Sequence, residues 1–391
     1  MSNVPKLRFK EFSGENRVQE LKELVVSNTY GPRFNANDYD DNGNVKTIRG
    51  TDVTLDGTIK YNQVPTAKLD EKFIKSHILE DGDLVMITTA DCGLTGIFEE
   101  QDEKYICSAY AVKITLNKSL TYPHYFKYFF QTALAKNEVN KYIRKATVAN
   151  LPASDILRFS HRLPSKKEQE KIALFLTSVD TKIEQLVKKE KLLQQYKKGL
   201  MQKIFNQEIR FKTDDGSEFP ELEEKKLSSL CNIKKGSQLN KDTLTEIGNH
   251  PAINGGINPS GYTTEYNTDE NTITISEGGN SCGYVNFITT KFWSGGHNYS
   301  LQDLKKDIEN LYLFQYLKHN ENSIMRLRVG SGLPNIQKNE ISNFKVLVPT
   351  IEEQEKIASF LSSIDTKIEQ VQNQLEQTKE FKKALLQQMF V

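Results

Sequence analysis

The 391 residues are 37% hydrophobic and 26% charged and carry a net charge of +1. At about 150 residues per domain this length predicts two or three domains, and the composition excludes a disordered chain. No run approaches about 18 uninterrupted apolar residues, and Met1-Ser2-Asn3-Val4-Pro5-Lys6 opens without an apolar segment behind its charge, so membrane insertion and secretion are disfavoured and a cytoplasmic protein is expected.

In chain order, the first block begins with Leu7-Arg8-Phe9-Lys10 and contains short β-branched runs at Val45-Lys46-Thr47-Ile48, residues 83–88 and residues 111–114. Gly, Asn and Asp punctuate these runs, which read as strands. A short helix is predicted around 123–136, followed by a polar loop. Residues 163–205 then form one long helix. A second block opens on Ile209-Arg210-Phe211-Lys212, an echo of the chain's start, with a strand at 271–275, a helix around 308–318 and another polar loop. A second long helix, 348–390, ends the chain.

The two long segments repeat each other. They align without a gap at an offset of 185 residues, with 21 identities in 43 positions. The offset also matches Asn150 with Asn335, Asp155 with Glu340 and Ile156 with Ile341, so the half-molecule is duplicated, and its length exceeds that of solenoid repeats. Ser165-x-x-Glu168 and Thr350-x-x-Glu353 have the spacing of capping boxes, and no proline interrupts either helical segment beyond its box. Ile172, Leu176, Val179, Ile183 and Leu186 step by four and three, as do Ile357, Leu361, Ile364, Ile368 and Val371. That is a coiled-coil seam, and the block between the helices must carry the chain back, which predicts antiparallel pairing. Phe175, Val187, Leu192 and Phe205 lie off the seam and predict that further helices dock there. Charge is uneven: +5 for 164–205 against −2 for 349–391.

The doubled motif from Pro164 to Gln185 and from Pro349 to Gln370, each following a variable block, resembles the specificity subunit of type I restriction-modification systems. The resemblance covers essentially the whole chain. It implies an α+β fold: two target recognition domains separated by two long helices in an antiparallel coiled coil, with a pseudo-twofold internal repeat. The domains expected are 1–163 and 208–347, with spacer helices 164–207 and 348–391. The family's function implies a non-catalytic subunit reading a bipartite asymmetric site on double-stranded DNA, one domain per half-site. Two methyltransferase subunits dock on the helices, with two restriction subunits as optional further partners. S-adenosylmethionine, ATP and Mg are expected in the partners and no cofactor in this chain. The helices are expected to set the distance between the readers, about one duplex turn. The alternative from another class is a coiled-coil scaffold with two modules for non-DNA ligands.

A search of the residues for chemistry agrees with a non-catalytic chain. Asn258-Pro259-Ser260 lacks the Pro-Pro-aromatic continuation of an adenine methyltransferase loop. Gly278-x-x-x-x-Gly283 is followed by Tyr284-Val285 rather than Lys-Ser/Thr, so it reads as a hairpin turn and not a phosphate loop. Asp70-x-Lys72 reads as a solvated pair. The cysteines and histidines have no metal-ligand spacing, so no metal site is expected. For DNA contact the donors and acceptors that suit phosphates and base edges are Lys46, Arg49, Thr88, Thr89, Arg144, Lys145 and Thr147 in the first block. In the second they are Asn254, Asn258, Lys291, Asn298, Tyr299, Arg326, Arg328 and Ser331. The pre-helix loops stand out because they occupy equivalent places in both blocks.

Overall fold

The computed structural model describes residues 4–145, 147–330, 332 and 334–391. The chain divides into two compact units, Met1–Leu186 with Gln374–Val391, and Val187–Asn373. Each long helix therefore gives one half to each unit. No helix among the described residues is long and apolar enough to cross a membrane.

In the first unit, four antiparallel strands stand in the order Val25–Tyr30, Ala111–Leu116, Leu84–Ile87, Thr95–Ile97. Leu84–Ile87 is buried at every position, as befits a strand covered on both faces. A smaller sheet orders Thr66–Ala67, Val45–Ile48 and Tyr105–Cys107, the last two pairing in parallel. Arg17–Glu20 pairs with Ser160–Leu163 just before the first long helix. The second unit repeats this plan. Its four-stranded sheet runs Asn232–Lys235, Asn298–Gln302, Thr272–Ser276, Val285–Ile288. Its smaller sheet runs Tyr262–Thr263, His250–Ile253, Trp293–Ser294, again with the parallel pair, and Glu223–Lys226 pairs with Lys345–Val348. Both units are thus α+β and share one topology.

The long helices are Lys166–Phe205 and Ile351–Gln388. Within the first unit, Asp180 binds Lys382 Nζ at 2.6 Å, and Ile172 near the start of one helix shares a core with Leu385, Met389 and Phe390 near the end of the other. Within the second, Lys197 Nζ binds Asp365 at 2.6 Å, Gln372 Nε2 donates to Glu190 at 2.7 Å, and Ile204 and Phe205 share a core with Ile357. The helices are therefore antiparallel in each. Asp180 and Asp365, like Lys197 and Lys382, are related by the 185-residue offset, so one salt bridge occurs twice. Of the ten seam residues, Ile172, Leu176, Val179, Leu186, Ile357, Leu361, Ile364 and Val371 are buried and Ile183 and Ile368 are half-buried.

The helix starts differ from the expected capping boxes. Ser165 Oγ does accept from Glu168 N, at 3.4 Å, but the Glu168 carboxylate is taken by the Arg8 guanidinium at 2.7 and 2.8 Å. Arg210 holds Glu353 in the same way, at 3.0 and 2.8 Å, while the buried Thr350 hydroxyl has no partner among the described residues. A bidentate, charge-assisted pair outcompetes a single backbone N–H for the carboxylate. The neighbouring glutamines act as clamps. Gln169 donates to Pro164 O and accepts from Tyr122 N, and Gln354 donates to Pro349 O and accepts from Glu309 N, each at 2.9 Å. The repeated Arg-Phe and Glu-Gln elements thus fasten each block to its helix.

Asp70 and Lys72 are both exposed, as expected of a solvated pair, and Asp70 also caps the helix Glu71–Ile74, accepting from Lys72 N and Phe73 N. One further expectation changes. The off-seam aromatics are covered by their own units, Phe175 by Phe9 at 5.8 Å and Phe205 by Tyr316 at 5.4 Å. Val187 and Leu192 remain exposed.

Candidate nucleic-acid interface

At one end of each four-stranded sheet, five segments meet. In the first unit the strand ending at Tyr30 turns through Gly31, whose N donates to Ala111 O at 3.0 Å. A Cβ on Gly31 would lie 2.0 Å from Cys107 O, so only glycine allows this approach. Gly236 does the same in the second unit, with Asn298 O as acceptor and Gly295 O at 2.2 Å from a would-be Cβ. Ser108 N donates to Ile48 O, and Gly295 N to Ile253 O. These anchors make Ile48-Arg49-Gly50 the counterpart of Ile253-Asn254-Gly255.

The strand Leu84–Ile87 is followed by Thr88 in one unit and Thr272–Ser276 by Glu277 in the other. Thr88 N donates to Tyr110 O and Glu277 N to His297 O, both at 2.9 Å. Leu151 N donates back to Thr88 O and Ile336 N to Glu277 O, both at 2.8 Å. The pre-helix loops close on themselves through Arg144 with Asn150 and Val329 with Asn335, and each touches the turn after that strand, Thr89 bridging Asn150 and Gly278 bridging Asn335. The turn at 278–283 is the expected hairpin, with Gly279 and Gly283 at φ 77° and 89°. The two loops that sequence alone placed near DNA are therefore hydrogen-bonded to the strand ends.

In the first unit these segments border a groove of about 750 Å³, walled by Arg33, Phe34, Tyr39, Arg49, Thr89 and Tyr110. Arg49 is half-exposed and is aimed by the fully buried Asp52, which accepts from its backbone N, Nε and Nη2. Lys46 is tied to Glu103 at 3.1 Å. Arg144 meets Asp155 at 3.3 Å yet stays largely exposed, and Lys145 and Thr147 are exposed. Thr88 is buried and gives its hydroxyl to Tyr110 O, so it braces the loop instead of reaching out.

In the second unit Asn258, Arg326 and Arg328 are exposed, and neither arginine has an ion pair among the described residues. Asn254 is half-buried and accepts from His297 N at 3.1 Å. Lys291 lies apart, donating to Tyr266 OH at 3.0 Å and stacked 4.5 Å over its ring. Asn298 and Tyr299 do not face outward as contact residues would. Both are buried, Asn298 donating to Ser294 Oγ and Tyr299 OH to Glu277 Oε1 and Ile336 O. Burial holds the Tyr299 phenol well above its ordinary range, so it stays a donor. As consecutive strand residues they point to opposite faces, and both are buried because this strand is paired on both edges and covered on both faces. Ser331 lies outside the described residues.

Sequence reading missed Arg33 and Tyr110 in the first unit and Lys235, Glu277 and His297 in the second. Spacing gave no signal for them: Tyr110 lies 61 residues after Arg49, whereas His297 lies 43 after Asn254, so only the hydrogen-bonded frame makes these positions equivalent.

The model of the type I restriction modification DNA specificity domain matches residues 14–195 and again 220–379. The chain belongs to that family. It is 34% identical over 168 residues to a chain named as a type I specificity subunit in Mycoplasma pneumoniae, a match spanning 42% of this chain and 44% of that relative, less than half its length. It is 25% identical over 414 residues to one named as a type I restriction enzyme specificity subunit in Methanocaldococcus jannaschii, across 98% of this chain and 95% of that one. The crystal structure of a type I restriction-modification S subunit from M. genitalium superposes with a TM-score of 0.67 at 18% identity, covering 99% of each chain. At that identity the likeness establishes the shared fold.

Proposed function

We propose that this chain is the non-catalytic DNA-recognition subunit of a type I restriction-modification complex. It reads a bipartite, asymmetric site on double-stranded DNA, residues 1–163 taking one half and residues 208–347 the other. The helices, 164–207 and 348–391, dock two methyltransferase subunits, with restriction subunits as optional further partners. S-adenosylmethionine, ATP and magnesium belong to those partners, and the complex works in the cytoplasm.

One observation carries this reading: the two units share a strand order but differ at matched positions of the same loop cluster, Arg49 against Asn254 and Tyr110 against His297. Sequence information in DNA is read by a few such side chains on a common frame. Exposed Lys145, Arg326 and Arg328 suit phosphate contacts, and Leu174, Leu192 and Tyr196, each about half exposed on the first long helix, suit a protein partner.

The test is to exchange residues 209–345 for the corresponding block of another family member and sequence methylated adenines genome-wide. One half of the recognised motif should change and the other should stay. A change in both halves would refute the assignment of one module to each half-site.

A further inference from the structure

Glu277 is an anomaly among the strand ends. Its side chain is 5% exposed, and a buried carboxylate is costly unless each oxygen is paired. Oε1 accepts from Lys235 Nζ at 2.5 Å and from Tyr299 OH at 2.9 Å. Oε2 is buried with no hydrogen-bond partner, and His297 Nδ1 stands 3.7 Å from it. Lys235 and His297 are themselves half or more exposed, at 51% and 63%. Two exposed nitrogen-bearing side chains are thus drawn to opposite oxygens of one buried carboxylate. The loop that carries His297 is fixed in turn: its N donates to Asn254 Oδ1, and Ser276 and Ser281 both donate to Gly255 O. In the first unit the same three places hold Tyr30, Thr88 and Tyr110, all uncharged.

With Nδ1 on the carboxylate side, Nε2 is the ring nitrogen of the exposed His297 left for a ligand, and the Lys235 ammonium is held by the other oxygen of the same carboxylate. In the major groove a purine offers two adjacent polar positions, the N7 acceptor and the 6-substituent, whereas a pyrimidine offers one. We propose that Lys235 and His297 read a purine in the half-site recognised by the second module, Lys235 donating to N7 and His297 Nε2 meeting the 6-substituent. Glu277 is the positioning residue that sets both. This rests on the reading of 208–347 as a half-site reader, and it adds the class of base and the side chains that select it.

The experiment uses the chain co-expressed with its partner methyltransferase, with genome-wide sequencing of methylated adenines for wild type, Lys235→Met, His297→Phe and Glu277→Gln. His297 is exposed, so His297→Phe keeps the fold; Lys235→Met removes a charged donor from the buried Glu277, so the double variant Lys235→Met with Glu277→Gln, which strands no charge, is measured beside it and should lose the same preference. In the half that follows residues 209–345, and apart from the methylated adenine itself, the wild-type motif should contain a position that accepts A and G but neither C nor T on the same strand. Each variant should lower the purine preference there by about tenfold while the other half-site is unchanged. A merely structural Glu277 would reduce methylation evenly at all sites. That result, an unchanged motif, or a half-site with no purine-restricted position overturns the proposal while leaving the two-reader assignment standing. A wild-type chain that yields no bipartite motif defeats both.

Discussion

His161 offers a direct test of how the first unit is built. Its ring is buried, its centroid 3.7 Å from that of Phe129 with the planes tilted by 32°, and its Nε2 lies 2.9 Å from the Tyr125 hydroxyl. Burial drives its pKa down from 6.5 to about 3, so the folded ring is neutral and accepts the Tyr125 proton. In the unfolded chain the imidazole titrates near 6.5. Between the two values the unfolded state binds more protons, so this contribution to stability is fully present above pH 6.5 and is lost progressively as pH falls towards 3. At pH 5 the loss is about 2 kcal/mol, from about 1.4 kcal/mol per pH unit over the 1.5 units below 6.5. For a unit of this size that shifts the melting temperature by about 4–8 °C. His161→Gln keeps an acceptor for Tyr125 and removes the titration. Melting followed by circular dichroism at pH 7, 6 and 5 should show the wild type losing that increment relative to the variant. The chain's single tryptophan, Trp293, lies in the second unit, so its fluorescence transition should move equally in both proteins. A wild-type–variant gap that stays constant from pH 7 to 5 would show that the ring is not held neutral in the folded protein.

Two other perturbations probe the ion pairs and the exposed arginines. Arg210→Met strands the buried Glu353 carboxylate and should destabilise the second unit by about 3 kcal/mol, lowering the Trp293 transition, whereas Arg210→Met with Glu353→Gln should recover much of the loss; equal transitions for the single and double variants would refute the pairing. Arg326→Ala and Arg328→Ala should weaken DNA binding by the assembled complex without altering its motif, each flattening the plot of log affinity against log salt by about 1. An unchanged salt slope would exclude phosphate contact at those positions.

Periodicity and duplication in the sequence determined the long helices and their seam, because helical spacing is a local, repeating constraint. The 4-3 steps from Ile172 to Leu186 and from Ile357 to Val371 can be buried only along one stripe, and the buried residues follow that stripe. The strand Val45–Ile48 and the all-buried strand at 84–87 were likewise legible, since β-branched runs between turn residues have few other uses. The pre-helix loops were found because they recur at one offset.

Tertiary structure decided the partners. Glu168 has the spacing of a capping residue, yet it binds Arg8, 160 residues away, because a guanidinium arriving from the chain's start supplies two charged donors. Tyr299 and Asn298 look like DNA-contacting residues in sequence, but pairing of their strand with Asn232–Lys235 and Thr272–Ser276 turns them inward. Conversely Lys235, Glu277 and His297 carry no signal as isolated letters of the sequence. They become a site only when three strand ends and a loop converge, because the sheet brings distant segments to hydrogen-bonding distance and sequence spacing carries no record of that meeting.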